Sequence, residues 1–349
     1  MDYEFDSNFY DFDLPKELIA QLPSEKRSES KLFFYKRSTQ EIKHLKFKDI
    51  VEILDNKYCI VLNNTKVEKR KIICKKPTGK EVPILITQYK DNFLKCIPYK
   101  SIKINQKLIL PQNIECIVVD KDYQTQEIVL EGIFQKEKIK YLIDKYGLSP
   151  LPPYIKRKQR ILELNEIDKE RYQTVYAEKE GSLAAPTAGF HFDREILSKL
   201  IEKGIEILYI TLNIGISTFK PIKTKSILGH KIFPEYAEVS KDTAQKINKL
   251  ISDGKKILCV GTTVVRTLEF LMTKYDKIIP YSGDVDIYIY PGYEFKITSG
   301  LITNFHLPKS TNLVLVCAFA GREKVLNLYK IAIENQYRFY SYGDAMLIL

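Results

Sequence analysis

The stretch KILCVGTTVVRTLEFL, Lys256–Leu271, contains the pattern that decides the fold. Its first five residues, Lys256–Val260, are mostly apolar and predict a buried strand. Gly261, Thr262 and Thr263 then lead into a helix whose apolar residues recur at helical spacing. A strand that runs directly into a helix is the building unit of α/β folds, so this stretch predicts an α/β layer.

The same alternation of strands and helices extends along the C-terminal half. Asp193 is predicted to cap a helix that ends at Gly204, and Ile205–Leu212 follows as a strand. The apolar run Leu313–Ala320 predicts another buried strand, and Arg322–Asn335 predicts a helix. This pattern favours an α/β layer or barrel with a largely parallel sheet, in which ligands bind outside the carboxyl ends of the strands.

Two further segments fit this arrangement. Ser240 is predicted to cap a helix that ends at Gly254, with Ile247 and Ile251 facing the core. A strand at Tyr58–Leu62 is expected to join the C-terminal α/β part. The chain between these two parts would then be an insertion.

The middle of the chain has a different pattern, typical of a small all-β unit. Its short β-rich runs are Val82–Thr87, Asn92–Ile97, Lys107–Leu110, Ile114–Val119 and Glu127–Leu130. A short helix at Lys136–Tyr146 and a proline-rich linker at 148–160 follow. We therefore predict an α/β domain from residues 1–65 and 151–349, with an inserted all-β domain at residues 66–150.

Composition limits the class of protein. A chain of 349 residues, 44% of them hydrophobic, can form about two globular domains without disulfide support. Its six cysteines have no short spacing, which excludes a CxxC zinc ribbon and predicts buried thiols in a reducing compartment. The acidic, aromatic start predicts no signal peptide, and no apolar run approaches about 20 residues. We therefore expect a cytoplasmic protein without a membrane span.

The net charge of +11 favours a polyanionic partner, because basic proteins release the counterions of nucleic acids when they bind. A lysine-rich composition inherited from an AT-biased genome is the alternative explanation. The basic residues are clustered, however: Lys66–Lys107 contains twelve lysines and arginines but three acids, and residues 156–160 form a second cluster. Clustering favours a polyanion-binding surface.

Four segments combine polar and small residues in a way that is typical of ligand sites. They are GSLAAPTAGFHFD (Gly181–Asp193), VGTTVVRTLE (Val260–Glu269), TNFHLPKST (Thr303–Thr311) and QYRFYSYGDAM (Gln336–Met346). Small residues let the backbone approach a ligand, and helix N-termini favour anionic groups. Each segment also has a structural explanation: a tight loop, an Arg266–Glu269 pair within one helix, a polar loop, or a C-terminal element that closes the core.

Proton transfer without a metal is the better hypothesis for these segments. No grouping of His, Cys and Asp has metal-ligand spacing, and no GxGxxG, GxSxG or P-loop motif occurs. His191 and His306 are the candidate acid–base groups, because an unperturbed histidine titrates near neutral pH.

Together the segments resemble the S-adenosylmethionine:tRNA ribosyltransferase-isomerase family of queuosine biosynthesis. The matching motifs are DFDLPKELIAQLP (Asp11–Pro23) with Arg27, VLNNTKV (Val61–Val67), LPPYIKR (Leu151–Arg157), GSLAAPTAGFHF (Gly181–Phe192), VGTTVVRTLE, PGYEF (Pro291–Phe295), LITNFHLPKST (Leu301–Thr311) and YRFYSYGDAML (Tyr337–Leu347). They occur in the family's order and cover nearly the whole chain, and the middle β unit matches least.

The resemblance implies an α/β barrel-like domain, built from both chain ends, with an inserted all-β barrel domain. It also implies that S-adenosylmethionine, as a co-substrate, donates its ribosyl unit to 7-aminomethyl-7-deazaguanine at the tRNA wobble position. A base removes a proton from the carbon beside the sulfonium, adenine and methionine leave, and epoxyqueuosine is formed. The expected protein is a monomer with no membrane contact, no metal and no permanently bound cofactor.

Candidate roles for residues of this chain follow from the resemblance. The base must be neutral beside the cationic sulfonium, which lowers a histidine pKa, so either His191 or His306 would suit. The other candidates are Arg266 and Asp344 for catalysis; Thr187, Gly189, Asn304 and Asn63 for substrate binding; Thr262 and Thr263, with Arg266, for the methionine carboxylate; Phe192, Phe305 and Tyr342 for stacking on a base; and Lys309, Arg338, Arg157 and the basic insertion for tRNA phosphates.

The chain departs from the family pattern at two places. Asn213-Ile214-Gly215 and Ser217-Thr218-Phe219 stand where the family often has His-Val-Gly and Gly-Thr-Phe, and Ile232-Phe233-Pro234 stands where it often has Met-His. The loss of these two histidines leaves His191, His230 and His306 as the possible acid–base histidines, with His44 outside every motif. Two alternatives stay open: a different RNA-modifying or S-adenosylmethionine-dependent enzyme, and a non-catalytic tRNA-binding protein with an RNA-binding barrel.

Overall fold

The computed structural model describes most of the chain. The described residues are 3–123, 125–157, 162–215 and 221–349. Two of the sequence predictions lie outside them: the motif residues Ser217–Phe219 and the basic residues Lys158–Arg160.

Two compact units are present. The first comprises Met1–Lys66, Pro152–Lys156 and Arg171–Leu349, and the second comprises Val67–Leu151 and Arg157–Glu170. The first unit is mixed α/β, and the second contains a closed β-barrel. This combination confirms the predicted fold class.

The strands and helices are numbered along the chain. The strands are β1 (Lys31–Lys36), β2 (Glu41–Lys46), β3 (Tyr58–Asn63), β4 (Thr65–Val67), β5 (Lys71–Lys75), β6 (Glu81–Lys90), β7 (Phe93–Pro98), β8 (Lys107–Leu110), β9 (Ile114–Lys121), β10 (Ile128–Gly132), β11 (Lys179–Ser182), β12 (Glu206–Leu212), β13 (Glu235–Val239), β14 (Lys256–Val260), β15 (Tyr281–Val285), β16 (Thr298–Asn304) and β17 (Ala345–Ile348). The helices are α1 (Ile50–Ile53), α2 (Lys136–Tyr146), α3 (Leu162–Arg171), α4 (Arg194–Glu202), α5 (Lys241–Ser252), α6 (Thr262–Tyr275), α7 (Thr311–Ala320) and α8 (Arg322–Glu334). Within the described residues, no helix is both long enough and apolar enough to cross a membrane.

The first unit is built on a nine-stranded sheet in the order β15-β13-β12-β3-β14-β16-β17-β1-β2. Neighbours from β12 to β16 pair in parallel, and antiparallel pairs flank them. The sheet is therefore mixed, whereas the sequence favoured a largely parallel one. In β3, Cys59 and Val61 pack in one core cluster while Ile60 and Leu62 pack in another. Burial on both faces explains why this strand is an unbroken apolar run.

Three neighbouring parallel strands end at the same edge of this sheet. β3 ends at Asn63, β14 at Val260 and β16 at Asn304. Parallel strands present their carboxyl ends together, so residues that follow these strands meet at this edge. Asn63 Nδ2, for example, donates to Thr263 Oγ1 over 3.2 Å. This edge positions the candidate site.

The apolar run Leu313–Ala320 forms most of helix α7, so the strand prediction was wrong. Ser310 caps this helix, and its Oγ accepts from the backbone N–H of Leu313 at 3.2 Å. Leu313 through Cys317 are all buried. A short run that is buried on every side has no periodicity that separates a strand from a helix. The strand of this region is β16, and TNFHLPKST begins with its last two residues and continues beyond its carboxyl end.

Helices α4 and α5 begin at the predicted caps. Asp193 Oδ1 accepts from the N–H of Ile196 at 2.9 Å, and Ser240 Oγ accepts from the N–H of Thr243 at 3.0 Å. The inward position at the end of α5 is Leu250, which is 4% exposed, whereas Ile251 is 38% exposed. The prediction for Ile251 was therefore wrong, because the helical turn brings residue 250 onto the buried face.

The barrel of the second unit has the strand order β10-β7-β6-β5-β8-β9. All five predicted β-rich runs belong to it, and β5 is a sixth strand that the sequence did not predict. Apolar residues fill its interior, among them Cys74, Cys96 and Cys116. All six cysteines are free and buried, which confirms the prediction of buried thiols.

Candidate active site

A pocket lies at the carboxyl edge of the central strands, within the first unit. Its polar lining consists mainly of hydroxyl and amide groups. The lining residues are Tyr154, Ala185, Pro186, Thr187, Ala188, Ile214, Gly261, Thr262, Thr263, Thr303, Asn304, Phe305, His306, Leu307, Ser310, Asn312, Tyr340 and Ser341. All four segments singled out in the sequence contribute to this one pocket.

His306 lines the pocket and is partly buried. Its Nε2 lies 2.7 Å from Thr303 Oγ1, and its backbone N–H donates to the Tyr329 hydroxyl over 3.0 Å. No described residue forms a hydrogen bond with its Nδ1. Burial lowers the pKa of His306 to about 3, so the imidazole is neutral near pH 7. When Nε2 donates to Thr303, the lone pair of Nδ1 is available to accept a proton.

His191 lies behind the pocket wall and is 3% exposed. Its Nδ1 lies 2.7 Å from Ser30 Oγ, and its Nε2 lies 3.3 Å from Asn304 Nδ2. The Ser30 hydroxyl donates to the carbonyl of Arg27 at 3.1 Å, so it accepts from His191, and the imidazole proton is assigned to Nδ1. Burial, together with the positive charges of Arg338 and Arg27, lowers the pKa of His191 to about 3.

Asn304 connects His191 to the pocket. Its Nδ2 donates to the carbonyl of Tyr340 at 3.1 Å and also lies 3.3 Å from His191 Nε2. Its Oδ1 accepts from Thr187 Oγ1 at 3.0 Å. Asn304 and Thr187 line the pocket, but His191 does not. His191 therefore contacts the pocket wall only through the Asn304 amide, among the contacts that the described residues show.

The N-terminus of α6 forms another part of the wall. Gly261 precedes the helix with φ 93°, a left-handed conformation that favours glycine. Thr262 and Thr263 follow, and Thr262 Oγ1 donates to Asn312 Oδ1 at 3.1 Å. Thr263 Oγ1 accepts from the buried amide of Asn63, which fixes its position. The start of this 14-residue helix presents N–H groups and the positive end of the helix dipole, which suit an anionic group.

Arg266 does not reach this pocket. Its Nη1 forms an ion pair with Glu235 Oε2, and its other nitrogens donate to the carbonyls of Ile287 and Val285. The predicted pair with Glu269 is absent from the described residues. Glu269 instead accepts from the N–H and hydroxyl groups of Thr298 at 3.0 and 2.7 Å. The long-range partners replace the local pair because Glu235, at the start of β13, and Thr298, at the start of β16, lie beside α6.

The aromatic candidates for stacking are core residues in the structure. Phe192 is fully buried, with its ring centroid 4.8 Å from that of Phe47. Phe305 borders the pocket, but its ring is fully buried and lies 4.9 Å from Phe339. Tyr342 is 3% exposed and packs against Phe190 and Tyr172.

Gly189 lies in the short turn Thr187–His191, where space is limited. A Cβ atom at this position would lie 2.0 Å from the Tyr176 hydroxyl. The glycine therefore permits a close approach within the core, and it does not line the pocket.

The charged candidates are held in ion pairs. Lys309 Nζ lies 3.0 Å from Asp11, and Arg157 forms two hydrogen bonds of 2.7 and 2.8 Å with Asp168. Arg338 lies 3.3 Å from Asp344. Asp344 is 1% exposed and also accepts from the backbone N–H groups of Lys31 and Arg338 at 3.0 and 2.7 Å, so it orders the C-terminal turn. Across the described residues, no group of three or more His, Cys, Asp or Glu side chains could hold a metal ion.

Several pocket residues were not named individually by the sequence reasoning, although Ser310 and Ser341 lie within the segments that it singled out. The residues not named are Tyr154, Ser310, Asn312 and Ser341, together with Ser30 behind the wall. Tyr154, Ser310 and Ser341 occur in motifs that carried the family resemblance, and the hydroxyls of Tyr154 and Ser341 lie 2.6 Å apart. That resemblance was the available signal for these three residues. Ser30 and Asn312 belong to no such motif.

Comparison with known proteins shows the family to which the chain belongs. The family profile described as "Queuosine biosynthesis protein" matches residues 7–348. The S-adenosylmethionine:tRNA ribosyltransferase-isomerase of Carboxydothermus hydrogenoformans is 43% identical over 346 residues, covering 97% of this chain and 98% of that protein. The protein of the same name from a Sulfurihydrogenibium species is 45% identical over 344 residues, with the same coverage.

A solved structure has a similar fold. The crystal structure of S-adenosylmethionine tRNA ribosyltransferase from Thermotoga maritima matches with a TM-score of 0.56 at 30% identity, covering 98% of this chain and all of that one. The family profile, the curated relatives and this solved neighbour together define the class of the chain, a tRNA-modifying transferase. The chain belongs to the queuosine biosynthesis family of S-adenosylmethionine:tRNA ribosyltransferase-isomerases, which confirms the resemblance seen in its motifs.

Proposed function

We propose that the chain transfers and isomerises the ribosyl unit of S-adenosylmethionine onto 7-aminomethyl-7-deazaguanine at the wobble position of tRNA. The products would be epoxyqueuosine, adenine and methionine. The observation that carries this proposal is the meeting of all four polar segments in one pocket with a neutral histidine, in a chain of this family. The enzyme would act in the cytoplasm as a monomer, without a permanently bound cofactor.

His306 is the proposed proton acceptor. The sulfonium would stabilise a carbanion on the adjacent carbon, and a cationic imidazole would be repelled from that position. A neutral His306 avoids this repulsion, and its Nδ1 has no hydrogen bond from the described residues. Thr303 would hold the ring by accepting from Nε2 at 2.7 Å. His191 is proposed to orient Asn304, since both of its ring nitrogens already have partners.

The N-terminus of α6 is the proposed site for the methionine carboxylate. Thr262 and Thr263 line the pocket there and add hydroxyl groups to the helix N–H groups. Arg266 is left out of this assignment because its guanidinium pairs with Glu235. The negative charge of the methionine carboxylate would therefore be stabilised by the helix dipole and by hydroxyl groups.

The basic stretch Lys66–Lys107 is proposed to contact tRNA phosphates. It contains strands β5, β6 and β7 of the barrel and the first residue of β8, and its charge is predominantly positive. Such contacts position an RNA without reading its sequence. Lys309 and Arg157 contribute less to this proposal, because each already forms an ion pair.

One incubation tests the proposed reaction. The full chain is mixed with S-adenosylmethionine and with tRNA that carries 7-aminomethyl-7-deazaguanine, and the small products are separated. Release of adenine and methionine is the expected result, and tRNA with an unmodified guanine is the control that should release neither. Formation of S-adenosylhomocysteine would indicate methyl transfer and overturn the proposal.

A further inference from the structure

A second pocket adjoins the candidate active site within the first unit, and Asn312 lines both. Ile289 and Leu315, each 2% exposed, contribute to its apolar wall. Phe233 also lines it and is 37% exposed. An accessible aromatic ring beside a buried apolar wall is a surface on which a flat ligand can stack.

The polar groups of the second pocket suit the edge of a heterocyclic ring. The Tyr288 hydroxyl is buried, and it has no hydrogen-bond partner among the described residues. A buried hydroxyl without a partner is unfavourable, so a ligand that supplies one would be stabilised. Asn312 Oδ1 accepts from Thr262 Oγ1 at 3.1 Å, which leaves the Asn312 N–H groups to face other partners.

The charges around this pocket argue against a small anion in its interior. Arg266 and Glu235 both line it, but they form an ion pair with each other, with side chains 12% and 3% exposed. Lys231, which also lines it, is exposed. A neutral aromatic interior suits a nucleic-acid base, and an exposed cation beside it suits the phosphate backbone to which that base is attached.

We propose that the second pocket receives a purine-type base of the RNA substrate, stacked on Phe233 with Tyr288 as a hydrogen-bond partner. The inference rests on the proposed function, and it assigns the two reactants to two pockets that meet at Asn312. The donor would occupy the candidate active site beside His306. The RNA base would enter by turning out of its stack, as it must in enzymes that modify bases. The adenine of the donor shares this ring chemistry, so the experiment must separate the two sources.

The experiment uses the full chain, S-adenosylmethionine, and an anticodon stem-loop carrying 7-aminomethyl-7-deazaguanine. Phe233→Ala should weaken stem-loop binding about tenfold, the scale of one lost base–aromatic stack. The KM for the stem-loop should rise by a similar factor, whereas the KM for S-adenosylmethionine should stay within about twofold. Phe233→Tyr keeps the ring and should restore both values. Tyr288→Phe should weaken stem-loop binding about fivefold through one lost hydrogen bond.

Phe9→Ala is the matched control, because Phe9 is 41% exposed in the first unit and lines neither pocket. Unchanged stem-loop affinity in both Phe233→Ala and Tyr288→Phe would overturn the proposal. A raised KM for S-adenosylmethionine with an unchanged KM for the stem-loop would also overturn it, since the pocket would then hold the donor's adenine. Stem-loop binding is measured without turnover. A wild-type chain that releases no adenine would therefore refute the proposed function alone, and the binding data would still decide the pocket.

Discussion

His191 and His306 differ in access, although the same physical effect acts on both. Burial lowers the pKa of each histidine to about 3. His306 lines the pocket with a free Nδ1 among the described residues, whereas Ser30 and Asn304 occupy both ring nitrogens of His191. A lowered pKa therefore marks both histidines equally. The access of each ring and its hydrogen-bond partners distinguish the two histidines, and they support His306 as the proposed proton acceptor.

The largest effect is expected from His306→Ala. Loss of a proton acceptor should reduce adenine release by about 10²- to 10⁴-fold, while the affinity for the RNA stays within about twofold. His44→Ala is a suitable control, because His44 forms a hydrogen bond with the Tyr337 hydroxyl and lines neither the candidate active site nor the second pocket. Near-normal turnover of His306→Ala would remove His306 from the mechanism.

His191→Ala should affect stability more than chemistry. The change leaves a cavity and removes the partner of the Asn304 amide and of Ser30, which should lower the free energy of unfolding by about 2–5 kcal/mol. Turnover should fall by about tenfold, because the amide orientation is loosened while the proton acceptor stays in place. Urea unfolding and steady-state kinetics measure the two effects. A loss of turnover as large as that of His306→Ala in a folded protein would abolish the distinction between the two histidines.

Acid should destabilise the protein through both histidines. Each folded-state pKa of about 3 lies below the ordinary value of 6.5, so the unfolded chain binds the protons first. The contribution to stability is complete above pH 6.5 and is lost as the pH falls toward 3, with about 2 kcal/mol per histidine lost at pH 5. The free energy of unfolding, measured in urea between pH 7 and 5, should change less with pH in each alanine variant than in the wild type. An equal pH dependence of the free energy of unfolding in all three proteins would show that these pKa shifts do not control stability in acid.

The smallest effect is expected from Ser30→Ala. This change removes the acceptor for the Nδ1 proton of His191, which is worth about 1 kcal/mol in the free energy of unfolding. Turnover should change by less than about threefold, since Asn304 still contacts Nε2. A larger loss of turnover than that of His191→Ala would show that Ser30 has a role outside this hydrogen-bond chain.

Sequence reasoning predicted the parts of the fold that have a clear period or a local cap. The strand Lys256–Val260 and the helices capped by Asp193 and Ser240 are of this kind. Leu313–Ala320 was assigned to a strand because a fully buried apolar run carries no period. The cap at Ser310 was the local signal that could have corrected it.

The candidate site was predicted as a set of segments but not as a set of contacts. Two of the four segments meet because β14 and β16 are parallel neighbours. Asn304 connects the other two to them through its hydrogen bonds with Thr187 and with the carbonyl of Tyr340. The partner of Arg266 is 31 residues away in the chain, and Ser30 is 161 residues from His191. Spacing within a motif gives no information about such pairs, so it could not separate the accessible histidine from the enclosed one.

Chemical rescue by imidazole tests the central claim most directly. Truncating His306 should open space in the pocket wall, so added imidazole should raise adenine release by His306→Ala in a saturable manner. The same imidazole should leave His191→Ala unchanged, because that cavity is enclosed behind Asn304. Rescue of His191→Ala without rescue of His306→Ala would contradict the assignment of His306 as the proton acceptor.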